Sequence, residues 1–200
     1  MLYGRHKHMA KTEPIRTIDE INRLKEYFLE KNDIRDYVLF IFGINTALRI
    51  SDILHLTWKN VFDFQNRVFL NHLVTKEQKT QKTAIIKLNM QVCDALLLLK
   101  EVMGQIAPDD YIFQSQRHGN HPIHRTRAYT IIRNAAKATQ IEGIVSCHSL
   151  RKTFGYHAWK QGFPPALIMD IYNHSSIEVT KRYLSINQDD KDSLFSKLLL

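Results

Sequence analysis

The stretch Ala47-Leu48-Arg49-Ile50-Ser51-Asp52-Ile53-Leu54 decides the fold. Ser51 can cap a short helix running through Leu56, so Arg49 stands just ahead of it on a well-fixed backbone. Upstream, Thr17-Ile18-Asp19-Glu20 is a capping box, and Ile21, Leu24 and Phe28 then recur at helical spacing to about Lys31. A second helix spans roughly Ile34 to Thr46; Leu39, Phe40, Phe42 and Ile44 crowd it, so it should be buried nearly all round.

Downstream the texture changes. Val68-Phe69-Leu70 and Thr83 to Leu88 read as strands, with the polar run Thr75 to Lys82 as a hairpin tip, so a small antiparallel sheet is expected. Asn89 can cap a helix to about Val102 that Gly104 ends. Pro108 to Pro122 is loop-like around the apolar triplet Tyr111-Ile112-Phe113. Arg125 to Thr139 is basic and amphipathic, with Ile131, Ile132, Ala135 and Ala136 inward. Ser149 to Gln161 is helical and stops at Gly162, and Pro164-Pro165 opens a helix through Tyr172. Ser175-Ser176-Ile177-Glu178 reads as a second capping box, and Asp190 to Leu200 as a short final helix. The fold class is α+β, mainly α-helical with a small antiparallel β-sheet. Residues 14–200 form one domain behind a flexible arm or appended remnant at 1–13.

Composition narrows the function. The 200 residues are 44% hydrophobic, enough for a sizeable core. The formal net charge of +8 favours a polyanionic partner. No apolar run approaches the roughly 20 residues that span a bilayer, so no membrane is expected. Cys93 and Cys147 sit in unrelated contexts and fit a reducing cytoplasm.

The chemistry-bearing residues are strong bases that end on one tyrosine: Arg49, then His148 and Arg151 in His148-Ser149-Leu150-Arg151, then His174 and Tyr183. Two arginines and two histidines suit a phosphate whose charge must be held during attack. A tyrosine can form a covalent phosphoryl intermediate. No Asp/Glu cluster with metal-ligand spacing accompanies them, so neither metal nor cofactor is expected. The pattern points to breaking and rejoining a nucleic-acid backbone.

The three boxes resemble the catalytic domain of the tyrosine recombinase (phage integrase) family. They are Ala47 to Leu54, His148-Ser149-Leu150-Arg151-Lys152-Thr153-Phe154-Gly155, and His174 through Tyr183-Leu184, with a Lys-bearing hairpin between the first two. The resemblance covers about Pro14 to Ile186. It implies that Tyr183 attacks the scissile phosphorus, leaving a 3′-phosphotyrosine and a free 5′-hydroxyl. Arg49 and Arg151 then hold the non-bridging oxygens, His148 helps deprotonate Tyr183, and His174 donates to the phosphate. A hairpin lysine protonates the leaving oxygen, and Asp52 orients the arginines. Lys76, Lys79 and Lys82 share the tip; Lys79-Thr80-Gln81-Lys82 is most similar to the family's Lys-Thr-Gly-Lys turn, which favours Lys79. Gln81 and Asn173 stand where glycine is usual, and Lys152 where histidine is common. The resemblance further implies double-stranded DNA as partner, a tetramer on DNA and a monomer when free.

Outside the boxes, Lys76, Lys82, Arg125, Arg127, Arg133, Lys137 and Lys152 are expected to contact phosphates. His118, His121 and His124 form a loop triplet with no nearby carboxylate or cysteine, a weak metal pattern. Cys147, adjacent to His148, lacks the geometry of a cysteine nucleophile. Two other functions share these residues: type IB topoisomerase-like nicking and closing, and a non-catalytic DNA-binding module. Members of the family often carry a further N-terminal DNA-clamping domain, for which this chain has no room: either it is an excised catalytic domain, or it resembles the family's short stand-alone members.

Overall fold

The computed structural model describes residues 12–115, 119–186 and 188–198. Helix α1 (Ile18–Glu30) opens at the expected capping box: Thr17 Oγ1 accepts from Glu20 N, and the Glu20 carboxylate accepts from Thr17 N. Its apolar stripe of Ile21, Leu24 and Phe28 is buried. Helix α2 (Ile34–Asn45) is buried without interruption from Val38 to Gly43 and forms the central rod. Helices α4 (Met90–Met103) and α6 (Cys147–Lys160) pack against it. At Gly43 the α2–α6 approach is so close that a Cβ would lie 2.9 Å from Leu150 Cβ. Only glycine fits there.

Helix α3 (Ile50–Leu54) starts two residues earlier than a Ser51 cap would place it, which makes Arg49 itself the N-cap. A 3-10 turn at Trp58–Asn60 follows and buries Trp58 completely. The single small sheet expected from the sequence is two separate antiparallel pairs. Strand β1 (Phe62–Asp63) pairs with β2 (Val68–Phe69), and β3 (His72–Lys76) with β4 (Thr83–Lys87). Thus Val68-Phe69 turns back on a strand the sequence reading missed. The partner of Thr83–Lys87 is His72–Lys76, whose alternation is weak because only Leu73 is buried. The hairpin tip is shorter than expected, running from Glu77 to Lys82.

Asn89 caps α4 through Val92 N, and Gly104 closes it at φ 72. Helix α5 (Arg125–Ala138) turns Ala128, Ile131, Ile132, Ala135 and Ala136 inward. Helix α6 begins two residues before the expected Ser149. Ser146 is its N-cap, in a reciprocal box with Ser149, so His148 lies on the first turn. Helix α7 (Pro165–Tyr172) starts with proline at N1. Helix α8 (Ile177–Leu184) is capped by Ser176 Oγ, which accepts from Val179 N, one residue later than the box read at Ser175. Helix α9 (Gln188–Lys197) ends the described chain.

Two apolar clusters result. The larger runs from Ile15 through α1, α2, α4 and α5 to Leu150. The smaller consists of Ala47, Ile168, Tyr172 and Leu184 and joins α7 and α8 to α6. The segment ahead of α1 is tied to the body: Glu13 N donates to Ile144 O, Ile15 N donates to Thr153 Oγ1, and Ile15 is fully buried.

Candidate active site

Each of the three boxes supplies its residues from a backbone that is locally fixed. Arg49 is held at the α3 N-cap, where its carbonyl accepts from Asp52 N and Ile53 N. On α6, His148, Arg151 and Lys152 follow at i, i+3 and i+4 and so share one face. Arg151 is 3% exposed. Its Nη2 donates to Tyr172 O at 3.2 Å, and its guanidinium lies 4.7 Å from the Tyr172 ring centre. The Tyr172 hydroxyl returns a hydrogen bond to Arg151 O. Burial pushes that phenol far up, so it stays a neutral donor. Helices α6 and α7 are thereby locked around the arginine.

Asn173, the αL residue ending α7, has φ 54, the backbone a glycine would adopt most easily. Gln81 has φ 59 for the same reason. Both departures from glycine therefore keep the left-handed turn. His174 follows, with Nδ1 3.0 Å from the buried Thr180 hydroxyl. Burial lowers its pKa first, then the charges of Arg151 and Arg49.

Tyr183 stands among three rings. Its centre lies 5.0 Å from His148, 4.9 Å from His174 and 5.0 Å from Tyr172. Its hydroxyl is buried with no aligned hydrogen bond, although the Arg151 guanidinium acts on it. Burial pushes its pKa up to about 12, against the pull of Arg151 and Arg49. His148 is pushed down to about 4: crowding by protein atoms acts first, although the residue keeps an exposed face, and then the charges of Lys152, Arg151, Arg49 and Arg125. A neutral imidazole thus stands beside a protonated phenol.

The hairpin closes the cluster. Gln78 N donates to Asp52 Oδ1 at 3.0 Å, so Asp52 anchors the tip as well as starting α3. Glu77, missed in the sequence, is 2% exposed between the two arginines. Its Oε2 is 2.8 Å from Arg49 Nη1, and its Oε1 is 3.7 Å from Arg151 Nη1. Burial pushes its carboxyl up, but the Thr80 hydroxyl, Arg49 and the charge of Arg151 outweigh this and hold it below the usual range. Neither arginine contact is an aligned hydrogen bond, so both Nη1 atoms remain without one. Among the described residues, the buried side-chain polar atoms lacking a hydrogen bond are these two, Tyr183 Oη, Asp52 Oδ2 and Trp58 Nε1. All but Trp58 belong to this cluster: the two Nη1 atoms and Tyr183 Oη can donate to an anion, whereas Asp52 Oδ2 is an acceptor.

A cleft of about 670 Å³ opens beside it, lined by Arg49, Lys79, Arg125, Tyr129, His148 and Arg151 among others. Lys79 is exposed on its hairpin wall. Arg125, Tyr129, Arg133 and Lys137 recur every four residues along one face of α5, and all four are exposed. Tyr129 was not singled out in the sequence, although its i+4 spacing from Arg125 was visible. Arg127 is exposed but falls off that face, and its charge acts on Asp36. Lys76 is exposed at the end of β3.

Two expected phosphate contacts are otherwise engaged. Lys152 is 2% exposed; its Nζ donates to Thr12 O at 2.6 Å and to Ser185 Oγ at 3.3 Å, and lies 5.6 Å from the Tyr183 ring centre. It is an interior strut beneath the tyrosine, because an i+4 step from His148 on α6 turns it under α8. Lys82 Nζ donates to Asn173 Oδ1 at 3.0 Å, tying the hairpin to the end of α7. Of the histidine triplet, His118 lies outside the described residues, and the His124 ring caps α5. Among the described residues no three His, Cys, Asp or Glu side chains are grouped as a metal site requires.

The phage integrase family model matches residues 16–190. A Bacillus subtilis protein described as the probable integrase/recombinase YoeC is 43% identical over 178 residues, covering 88% of this chain and 91% of that one. Two solved structures share the fold. XerA recombinase superposes with a TM-score of 0.75 at 23% identity, over 94% of this chain and 66% of that chain. XerH recombinase, in a post-cleavage complex with its palindromic difH substrate, gives 0.72 at 16% identity, over 94% of this chain and 53% of that chain. The present chain thus spans about two thirds and about half of those two. With matched residues running from Arg16 to Asp190 and the three boxes converging on one cleft, the chain belongs to the phage integrase family, the tyrosine-type site-specific recombinases.

Proposed function

We propose that the protein cuts and rejoins double-stranded DNA through a covalent 3′-phosphotyrosine, with neither metal nor ATP. The observation that carries this reading is the convergence, beside a basic cleft, of three buried atoms with no aligned hydrogen bond: Arg49 Nη1, Arg151 Nη1 and Tyr183 Oη. A phosphodiester supplies the missing acceptors. Arg49 and Arg151 hold the non-bridging oxygens and stabilise the charge that builds in the transition state. His148, neutral at physiological pH, takes the Tyr183 proton as Oη bonds to phosphorus and the P–O5′ bond breaks. Lys79 gives a proton to the departing 5′ oxygen. His174, its Nδ1 held by the Thr180 hydroxyl, donates to the phosphate. Attack by a 5′-hydroxyl reverses the steps, so the phosphodiester bond energy is kept. Arg125, Arg133 and Lys137 on α5, with Lys76, track the backbone, and Tyr129 supplies a stacking face at the cleft.

Assembly follows the same reading. Phe195 of α9 and Leu198 just beyond it are 77% and 58% exposed. A separate groove of about 590 Å³ is lined by Ile18, Phe154, Phe163, Leu167, Ile168 and Ile171. Docking of one protomer's α9 in its neighbour's groove would join a tetramer on DNA and leave free protein monomeric, since so few apolar side chains are engaged. Asp190 does not belong to the exchanged part: it is buried and bonded to Tyr156 and Lys160, with Arg16 3.6 Å away. Removing residues 193–200 therefore isolates the docking step, whereas a cut at 190 would also remove a contact of the protein's own body. The reading places the protein in the cytoplasm with its DNA. No helix among the described residues is long and apolar enough to cross a membrane.

The test is a nicked suicide duplex carrying the site selected from random DNA. Wild-type protein should form a covalent adduct that survives EDTA. Tyr183→Phe should form none while binding DNA nearly as well. An adduct with the Phe variant would remove Tyr183 from its role. Lys79→Ala should slow cleavage severely and be rescued by a 5′-bridging phosphorothiolate, because a thiolate leaves without a proton. Relaxation of any supercoiled DNA by monomers, with no dependence on paired sites, would favour the topoisomerase-like reading instead.

A further inference from the structure

The one acidic side chain set between the two arginines has no part in the chemistry above. We propose that Glu77 is a built-in stand-in for the substrate phosphate. In the free protein it holds Arg49 and Arg151 in their phosphate-binding pose, and it is exchanged for the scissile phosphodiester when DNA enters. The inference rests on the reading of Arg49 and Arg151 as the phosphate clamp.

Three observations carry it. First, Glu77 presents one oxygen to each arginine, Oε2 to Arg49 and Oε1 to Arg151, as a bridging phosphate would. Second, the fit is incomplete. Both Nη1 atoms remain without an aligned hydrogen bond, and so does Tyr183 Oη. A carboxylate committed to a permanent structural pair would be expected to face a guanidinium in the aligned, two-bond geometry. Here a planar two-oxygen group stands where a tetrahedral group with more acceptors would satisfy more donors. Third, Glu77 comes from the hairpin rather than from the helical body, two residues before Lys79. Its Oε2 also accepts from Thr80 Oγ1 at 2.6 Å, so the carboxylate keeps a partner on its own tip if it leaves the arginines.

Electrostatics makes the two anions exclusive. Glu77 is held in its charged form, and a phosphodiester brings a second negative charge to the same two cations at close range. Both cannot occupy the clamp. Exchange moves the Glu77 end of the tip, while Gln78 N stays tethered to Asp52. Lys79 lies just beyond that tether on the cleft wall. Arrival of phosphate and placement of the lysine are thereby linked through three consecutive residues. Glu77 is a positioning residue: it acts through the arginines and the tip, with no contact of its own to the reacting atoms.

The test uses the whole chain and inorganic phosphate as probe, read by phosphorus NMR titration. Glu77→Gln keeps the shape and removes the competing charge, so phosphate affinity should rise at least about tenfold. With the suicide duplex, the DNA concentration for half-maximal adduct formation should fall by a similar factor. If Glu77 were only a buttress for the arginines, the same variant would bind phosphate no better and would lose adduct rate at saturating DNA; that result overturns the inference. A structure of the wild-type protein with vanadate and a cut duplex settles the matter should the variant fail to fold. Glu77 must then be clear of Arg49, and a carboxylate still touching Arg49 beside the vanadate overturns the proposal. Failure of the underlying reading looks different, for it gives no Tyr183-dependent adduct in the wild type at all.

Discussion

The clamp and the nucleophile stand on foundations of unequal depth. Arg49 and Arg151 sit on α3 and α6, against a large apolar cluster that includes Phe40, Phe42, Leu48, Ile53 and Leu150. His174, in the turn between α7 and α8, and Tyr183, on α8, rest on the smaller buried cluster of Ala47, Ile168, Tyr172 and Leu184. The difference teaches where rigidity is needed. A charge clamp works only if its donors are fixed before charge develops, because any reorganisation then costs part of the stabilisation. A tyrosine that must attack, remain bonded to DNA and later be released is better carried by a lightly buried pair of helices, which can open for less than the free energy of global unfolding.

The largest expected effect separates the two foundations. Phe42→Ala should cost about 3–5 kcal/mol of global stability, since a fully buried ring leaves a cavity in the central rod. Ile168→Ala removes a side chain equally hidden from water but in the small cluster. Its cost should appear mainly as faster amide exchange in α7 and α8, with a smaller shift in the denaturation midpoint. Equal midpoint shifts and uniform exchange in both variants would erase the distinction.

Gly155→Ala probes the joint between them at about 1–3 kcal/mol, the usual range for overpacking. A Cβ on Gly155 would collide with Tyr172, lying 2.8 Å from its Cε2, and with Leu184 Cδ2 at 2.7 Å. Both are members of the small cluster, and Tyr172 also holds Arg151. Adduct formation should therefore fall much further than DNA binding. A parallel fall in the two would show that the joint does not position Tyr183.

The same division explains what the sequence could reveal. Elements of the large cluster were legible where local rules govern them: the Thr17 box, the Asn89 cap, Gly104 and the inward face of α5 all follow from short-range spacing, whereas α3 and α6, which carry the clamp, each begin two residues before the expected place. The helix carrying Tyr183 was legible as an element, but its cap was misplaced by one residue because Ser175 and Ser176 are equivalent as acceptors to any short-range rule. Tertiary choices were not legible. Nothing near Lys152 in sequence says that Thr12 and Ser185 will enclose its ammonium. Glu77 looked like one charge in a solvated turn, because only the folded hairpin brings it to two arginines 28 and 74 residues away in opposite directions. Strand β3 was hidden because only Leu73 in it is buried and its end, Thr75-Lys76, reads with the polar run of the tip.

A pH titration sharpens the comparison at its contact point, His148. Its pKa in the folded protein, about 4, is below its ordinary 6.5. Between those values the unfolded chain holds a proton that the folded one does not. Stability on this account rises with pH through the window and is lost as pH falls from 6.5 toward 4. The melting temperature of the wild type should drop more steeply across that window than that of His148→Asn. Identical slopes would mean that neither burial nor the cations around His148 set its charge. Phosphate should raise the imidazole pKa by adding a negative neighbour, which proton NMR of the ring can follow.

The smallest effect expected is at the link between the hairpin and the end of α7. Asn173→Gly makes two changes of opposite sign. Glycine relieves the cost of a side chain at φ 54, a gain of a few tenths of a kcal/mol for a residue as tolerant of this region as asparagine. It also removes the acceptor of Lys82 Nζ. That bond is exposed and involves a long, mobile side chain, so its loss costs no more than about 1 kcal/mol. Global stability should therefore move by less than about 0.5 kcal/mol, within the usual range of surface substitutions. The local consequence is larger than the global one. With Lys82 unfastened, the tip keeps its tethers to Asp52 and to the arginines but loses its tie to the small cluster. Amide exchange at Gln81, whose N–H donates to Glu77 O, should speed up while α4 and α5 stay unchanged. If exchange at the tip is unaltered, the hairpin belongs mechanically to the clamp alone. If it speeds up together with α7, hairpin and nucleophile helices move as one unit, and the boundary between the two foundations has to be drawn on the other side of the hairpin.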